Sequence, residues 1–152
     1  MILSCSHISK LFGTDVILND VSFHIEDYEK AAIVGINGAG KSTFLRLMSG
    51  VLKPEEGHVT IDGHEVFENT EAKRRFFYIS DEQFFFSNAT PEEMLRYYRA
   101  IYQRFDEARF HKLMSSFGLS EKRKIHTFSK GMKKQVSVIC GICAGTDYLF
   151  CD

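Results

Sequence analysis

No stretch of this chain approaches the ~18 consecutive apolar residues of a membrane-crossing helix. Its opening residues, MILSCSHISKLFG, lack the basic start and long apolar core of a secretory leader. The chain therefore reads as cytoplasmic. Charge of one sign is lacking as well: 19 Lys and Arg stand against 20 Asp and Glu, a net charge of −1. That balance gives no electrostatic ground for nucleic acid or an anionic membrane as the main partner. Internal repeats and low-complexity segments are absent. Cysteine is sparse, with four residues and one close pair, Cys140 and Cys143. No second pair stands at metal-ligand spacing. The segment VSVICGICAG reads as small-residue packing of a helix against a sheet, with a zinc or redox pair as the alternative.

What remains is the composition of one ordinary globular domain: 152 residues, 44% hydrophobic and 26% charged. Strands are expected around Ile2 to Ile8 and Val16 to Ile25, joined by a turn at Gly13 to Asp15. Lys30 to Gly35 (KAAIVG) reads as a short, buried, parallel strand, followed by a helix that Gly50 closes. GHVTIDGHEV alternates about a turn at Asp62 and Gly63, and Phe76 to Ser80 reads as another strand. Thr90 is placed to cap a helix, with Pro91 at its first position and Glu93 completing a capping box, over PEEMLRYYRAIYQR. A second helix spans about Asp106 to Phe117, stopping at Gly118, and a third runs from Lys130 to about Ala144. The apolar YLFC before Asp152 reads as a buried strand delivering a carboxylate to a site. The order β-β-β-α-β-β-β-α-α-α-β implies an α/β fold with an antiparallel annex and a helical insertion.

The segment with chemistry is GINGAGKST, Gly35 to Thr43. It matches G-x4-G-K-S and lies between an apolar segment and a helix, the context that gives the motif its meaning. Glycines let backbone N–H groups wrap a triphosphate, and the helix N-terminus adds a positive field. Lys41 is expected to reach the β- and γ-phosphates, and Ser42 to ligate Mg2+.

A second segment, FSKGMKKQ from Phe128 to Gln135, opens the third helix. With it the chain resembles the ATP-binding domains of ABC transporters, whose signature reads roughly L-S-G-G-Q. It is similar in particular to the ABC-2 type exporter ATPases, where S-K-G-M is frequent. The resemblance spans essentially the whole chain and implies a P-loop NTPase with a RecA-like core, an antiparallel β annex and a helical subdomain, C-terminally incomplete. One ABC domain would divide into residues 1–80 (annex and phosphate-loop core), 81–129 (helical subdomain) and 130–152 (signature helix and Walker B strand). It implies ATP and Mg2+ as cofactors. Asn37, Gly38, Ala39, Gly40, Lys41, Ser42 and Thr43 would form the phosphate loop, and Asp152 would be the Walker B acid that holds the metal. Phe12 matches the aromatic that stacks on adenine, with plain packing as the other reading. Asp81 falls at the Q-loop position as a metal or water ligand, with Glu82 and Gln83 as rivals. Ser129, Lys130, Gly131 and Met132 match the signature, which would face the γ-phosphate on an opposite subunit.

The implied protein is an ATP-binding and ATP-hydrolysing subunit powering an ABC transporter of the exporter kind, paired with a second ATP-binding subunit and a membrane-spanning subunit, with no nucleic acid. It would be cytoplasmic, held at the membrane through that subunit. A non-transport ABC ATPase and a non-hydrolysing nucleotide-binding fragment are the alternatives. In the family the catalytic Glu and the switch His follow the Walker B strand; His7, His24, His58, His64, His111 and His126 all precede it. The 152 residues alone are therefore expected to be inactive in hydrolysis. In the family, too, both strands flanking the phosphate-loop strand lie outside these residues, so an open gap beside Ile33 or an unstable chain is expected. Phe84 to Phe86 reads equally as a docking patch for the membrane subunit or as core, and the basic residues between Glu121 and Lys134 read as a solvated face.

Overall fold

The computed structural model describes residues 2–152, which fall into two units: residues up to Lys73 together with Asp152, and Arg74–Cys151. The first holds β1 (Leu3–Phe12), β2 (Asp15–Ile25), α1 (Lys41–Met48), β3 (Glu56–Ile61), β4 (His64–Glu65) and a short α2 (Thr70–Lys73). The strands form one antiparallel sheet in the order β2-β1-β3-β4. Leu3 and Cys5 are buried in strand alternation; the chain then bulges at His7 (φ 52°), and Ile8 takes the next inward place. The pairing records the bulge, stepping from Cys5 opposite Phe23 to Ile8 opposite Val21. α1 buries Phe44, Leu47 and Met48, with the Phe44 ring 5.3 Å from that of Phe23. The Asp62-Gly63 turn joins Ile61 to His64 as expected. The sequence signalled no α2; Asn69 starts it, its Oδ1 accepting from the N–H groups of Glu71 and Ala72 at 3.1 Å each.

One expectation fails here. Lys30 to Gly35 is not a strand and is not buried: Ile33 and Val34 are 44% and 92% exposed, and Ile36 just beyond is 84% exposed. A strand exists only through its ladder, and none of the strand pairings in either sheet includes these residues. Apolar character without a neighbour to pair with leaves an extended, open segment. Beside it lies an apolar cleft of about 330 Å³ lined in part by Leu18, Val21, Phe23, Ile33 and Phe44.

The second unit holds β5 (Phe76–Ile79), α3 (Pro91–Ile101), α4 (Glu107–Ser116), a 3-10 turn (Ile125–Thr127), α5 (Lys130–Cys143) and β6 (Tyr148–Cys151). β5 and β6 pair in parallel, and the helices enclose a core that includes Phe77, Ile79, Met94, Phe110, Met114, Val136, Ile139 and Cys140. The capping box is complete: Thr90 Oγ1 accepts from Glu93 N at 3.2 Å, and Glu93 Oε2 accepts from Thr90 N at 2.7 Å. Asp106 caps α4 and Ser129 caps α5 with a single bond each, accepting from Arg109 N and Met132 N.

In this unit one helix end and the burial of one strand differ from expectation, and in the first unit β1 runs on to Phe12 rather than stopping near Ile8. α3 stops at Ile101 rather than continuing to Arg104, because Tyr102 turns extended and its ring joins the core, 5.6 Å from Phe77, with its hydroxyl donating to the Phe76 carbonyl at 3.3 Å. β6 is a strand, yet only Phe150 of its four residues is buried, since β5 is its one ladder partner. Cys140 and Cys143 are both buried and belong to the core of this unit. Burial pushes the Cys143 thiol up to about 11 and Cys140 higher still. Gly141 between them lies so close to β5 and β6 that a Cβ there would be 2.9 Å from Leu149 Cδ1 and 3.0 Å from Ile79 Cδ1.

Candidate functional site

The phosphate-loop residues Asn37, Gly38, Ala39 and Gly40 form an exposed turn that leads into α1, with Ala39 N donating to the Ile36 carbonyl at 3.2 Å. Gly40 is the N-cap of α1 with φ 81°, and a Cβ there would stand 2.8 Å from Ile17 Cγ2. Only glycine meets both conditions. Being glycine, the cap offers α1 no side-chain acceptor, and no acid occupies the first helical turn. The positive end of the helix, at Lys41, Ser42 and Thr43, is thus left for an acceptor from outside the helix.

Two functional side chains emerge from that turn. The Lys41 ammonium donates to the carbonyls of Gly35 and Ile36 at 2.8 and 2.9 Å, lying along its own loop. The Ser42 hydroxyl donates to Asp152 Oδ1 at 2.8 Å. Residues 110 positions apart are thereby brought together. A hydroxyl oxygen beside a carboxylate is a donor set suited to a hard cation such as Mg2+, and the glycine turn and helix terminus suit a polyphosphate, so the residues fit both groups.

Phe12 ends β1 and is 50% exposed, with the Lys10 ammonium 5.4 Å from its ring centroid. Lys10 in turn donates to Glu55 Oε1 at 2.9 Å and to the Lys53 carbonyl at 3.0 Å. Sequence reasoning missed Lys10 and Glu55. A lysine two places before the aromatic, on the same strand face, was the one available hint.

The remaining candidates belong to the second unit. Asp81, Glu82 and Gln83 form a turn after β5, in which Gln83 Nε2 donates to the Asp81 carbonyl at 2.6 Å and the Ser80 hydroxyl donates to the Glu82 carbonyl. Gln83 is thus engaged with its own turn, while Asp81 and Glu82 are exposed. In the signature, Ser129 Oγ accepts from Met132 N at 3.2 Å, and Lys130 and Gly131 are exposed on the first turn of α5. Met132 instead packs against the core. The three phenylalanines divide: Phe85 packs against the core, whereas Phe84 and Phe86 are exposed and meet edge to face at 5.2 Å. Phe86 also meets the Tyr97 ring at 4.8 Å.

Comparison with known proteins identifies the family. A family model described as ABC transporter matches residues 18–152. The ABC transporter ATP-binding protein YtrB of Bacillus subtilis (strain 168) is 31% identical over 137 residues, covering 90% of this chain and 47% of that protein. The ABC transporter ATP-binding protein NatA of the same organism is 33% identical over 142 residues, covering 89% and 58%. The chain thus spans about half the length of these curated relatives. Among solved structures, an ATP binding subunit of an ABC transporter superposes with a TM-score of 0.89 at 28% identity, covering 100% of this chain and 66% of that one. A putative ABC transporter ATP-binding protein from Pyrococcus furiosus, at 21% identity and a TM-score of 0.84 over 100% and 75% of the two chains, shares the fold. The family match begins within β2, takes in the whole phosphate loop and ends on Asp152, and the chain belongs to the ABC transporter family as a P-loop NTPase of its ATP-binding kind.

Proposed function

We propose that this chain binds ATP with Mg2+ and forms part of a subunit whose ATP hydrolysis powers an ABC transporter, of the exporter type. The observation that carries the reading is the 2.8 Å bond between Ser42 and Asp152, which joins the phosphate loop to the one acid that the Walker B resemblance singles out. In this reading Ser42 and Asp152 hold Mg2+, directly or through water, and the glycine turn and α1 N-terminus cradle the phosphates. Lys41 supplies the counter-charge to the β- and γ-phosphates. A divalent cation held by Ser42 and Asp152 would offset negative charge on the β- and γ-phosphates. Phe12 offers a surface for the base.

The partners in this reading are a second ATP-binding subunit, whose nucleotide faces Ser129, Lys130 and Gly131, and a membrane-spanning subunit. Support for the second is the exposed aromatic pair Phe84 and Phe86, since surface rings beside a polar turn suit docking. Among the described residues no helix is long and apolar enough to cross a membrane, so attachment to a membrane through such a partner is part of the proposal. A net charge of −1 gives no overall electrostatic support to a nucleic-acid partner.

The test is nucleotide titration of the chain and of its Lys41→Ala variant. Loss of an ammonium hydrogen-bonded to phosphate is expected to weaken ATP binding by at least about 1.5 to 3 kcal/mol, a factor of roughly ten or more. The 152 residues studied alone are expected to bind ATP without turning it over above background. Unchanged affinity in Lys41→Ala would overturn the assignment.

A further inference from the structure

We propose that Lys10 and Glu55 are positioning residues that brace the Phe12 ring as a platform for the purine of the bound nucleotide. This rests on the ATP-site reading above and adds to it the side chains that aim the base-stacking ring.

Phe12 is the last residue of β1, pairs with Asp15 across the hairpin and is half exposed, so that its ring needs a restraint to present one face to a ligand. Glu55 supplies the restraint by engaging three consecutive residues of β1. Its N–H donates to the Ser9 carbonyl at 3.0 Å, its Oε1 accepts from Lys10 Nζ at 2.9 Å, and its Oε2 accepts from Leu11 N at 3.3 Å. The Lys53 carbonyl, at 3.0 Å, takes a second proton of the same ammonium. The Lys10 side chain is in consequence only 12% exposed, low for a lysine on a surface strand. The Lys10 hydrogen bond also holds the Glu55 carboxyl below the usual carboxylate range, so the acid stays ionised for the pairing. An ammonium fixed in this manner 5.4 Å from the ring centroid is within cation–π range.

The consequence is an asymmetric ring. A cation sits over Phe12 on one side, and the exposed remainder of the ring is free for a flat, π-rich partner. The hydrogen bonds of the Lys10 and Glu55 side chains go to each other, to the Lys53 carbonyl and to Leu11 N, and none goes to a phosphate-loop residue. The two side chains act through Phe12, and their effect must fall on recognition of the base.

The experiment compares two probes on the full chain in Mg2+ buffer: ATP, which has a base, and inorganic tripolyphosphate, which has none. Phe12→Ala is expected to weaken ATP at least about fivefold through lost stacking, and tripolyphosphate by less than about twofold. Lys10→Met, which keeps the apolar stem, is expected to weaken ATP about threefold to tenfold with the same sparing of tripolyphosphate, Glu55→Gln to follow it, and Lys10→Arg to restore most of the loss. Equal weakening of both probes by Lys10→Met would overturn the proposal in favour of a general structural role. So would an unchanged ATP affinity in Lys10→Met while Phe12→Ala loses it, a result that leaves the ATP site standing. An unchanged affinity in Phe12→Ala would remove the base platform itself, and failure of the unsubstituted chain to bind ATP would remove the ATP-site reading and this inference together.

Discussion

Asp147 shows what one carboxylate does for the second unit. Its Oδ2 accepts from Arg75 Nε at 2.9 Å and its Oδ1 from Arg104 Nη2 at 2.6 Å, while its N–H donates to the Arg75 carbonyl at 2.9 Å. The start of β6 is thereby fastened to the residue before β5 and to the loop after α3. Burial raises the Asp147 pKa, but the hydrogen bonds from Arg104 and Arg75 together outweigh it and leave the carboxyl below its ordinary value. A depressed folded-state pKa contributes stability above the unfolded value, lost as pH falls through the folded one. The contribution is therefore expected to be intact at neutral pH and to disappear as the pH drops below the ordinary Asp range. Asp147→Asn is expected to cost about 1 to 3 kcal/mol at pH 7 in urea titrations, with the difference from the parent shrinking in acid. A difference independent of pH would exclude the ionic account. At this scale the sequence is legible where a pattern names the residue: Lys41 and Ser42 follow from the G-x4-G-K-S spacing, and Asp152 from the apolar strand before it and the family resemblance. Asp147, Lys10 and Glu55 belong to no motif, and pairs 72 or 45 positions apart meet only after folding.

Among the elements, α3 was the most legible, because its start is written locally in Thr90, Pro91 and Glu93. Its end was not, since Tyr102 leaves the helix for contacts made by β5. The strand expected over Lys30 to Gly35 shows the same limit: apolar composition states a preference for burial, and ladder partners decide whether a strand forms. Helix α5 illustrates how tightly an element can be seated. A Cβ on Gly141 would meet Leu149, Ile79 and Phe77 side-chain carbons at 2.9 to 3.1 Å. Leu149 is exposed and can swing aside, whereas Ile79 and Phe77 are buried and cannot. Gly141→Ala gains about 1 kcal/mol of helix propensity against that crowding and is expected to be near neutral. Gly141→Val is expected to lose about 1 to 3 kcal/mol through overpacking, read from the midpoint of urea unfolding. A neutral valine would show that α5 does not press on the β5–β6 pair.

For the molecule as a whole, amide hydrogen exchange separates the regions. Ala31 to Val34 make no ladder, and their amides are expected to exchange close to the rate of an unstructured peptide, while those of Val136 to Cys140 in α5 exchange orders of magnitude more slowly. Slow exchange at Ala31 to Val34 in a monomer would mean that another strand covers them. The phosphate loop hangs from this unladdered segment, and Lys41 changes what that implies. An ammonium has three N–H donors, and two already hold the carbonyls of Gly35 and Ile36. Fixing a free lysine side chain costs up to about 2 kcal/mol of rotamer entropy. Here that loss is largely incurred during folding, before any phosphate arrives, so the loop keeps its counter-charge in place even where the backbone beneath it has no sheet to rest on.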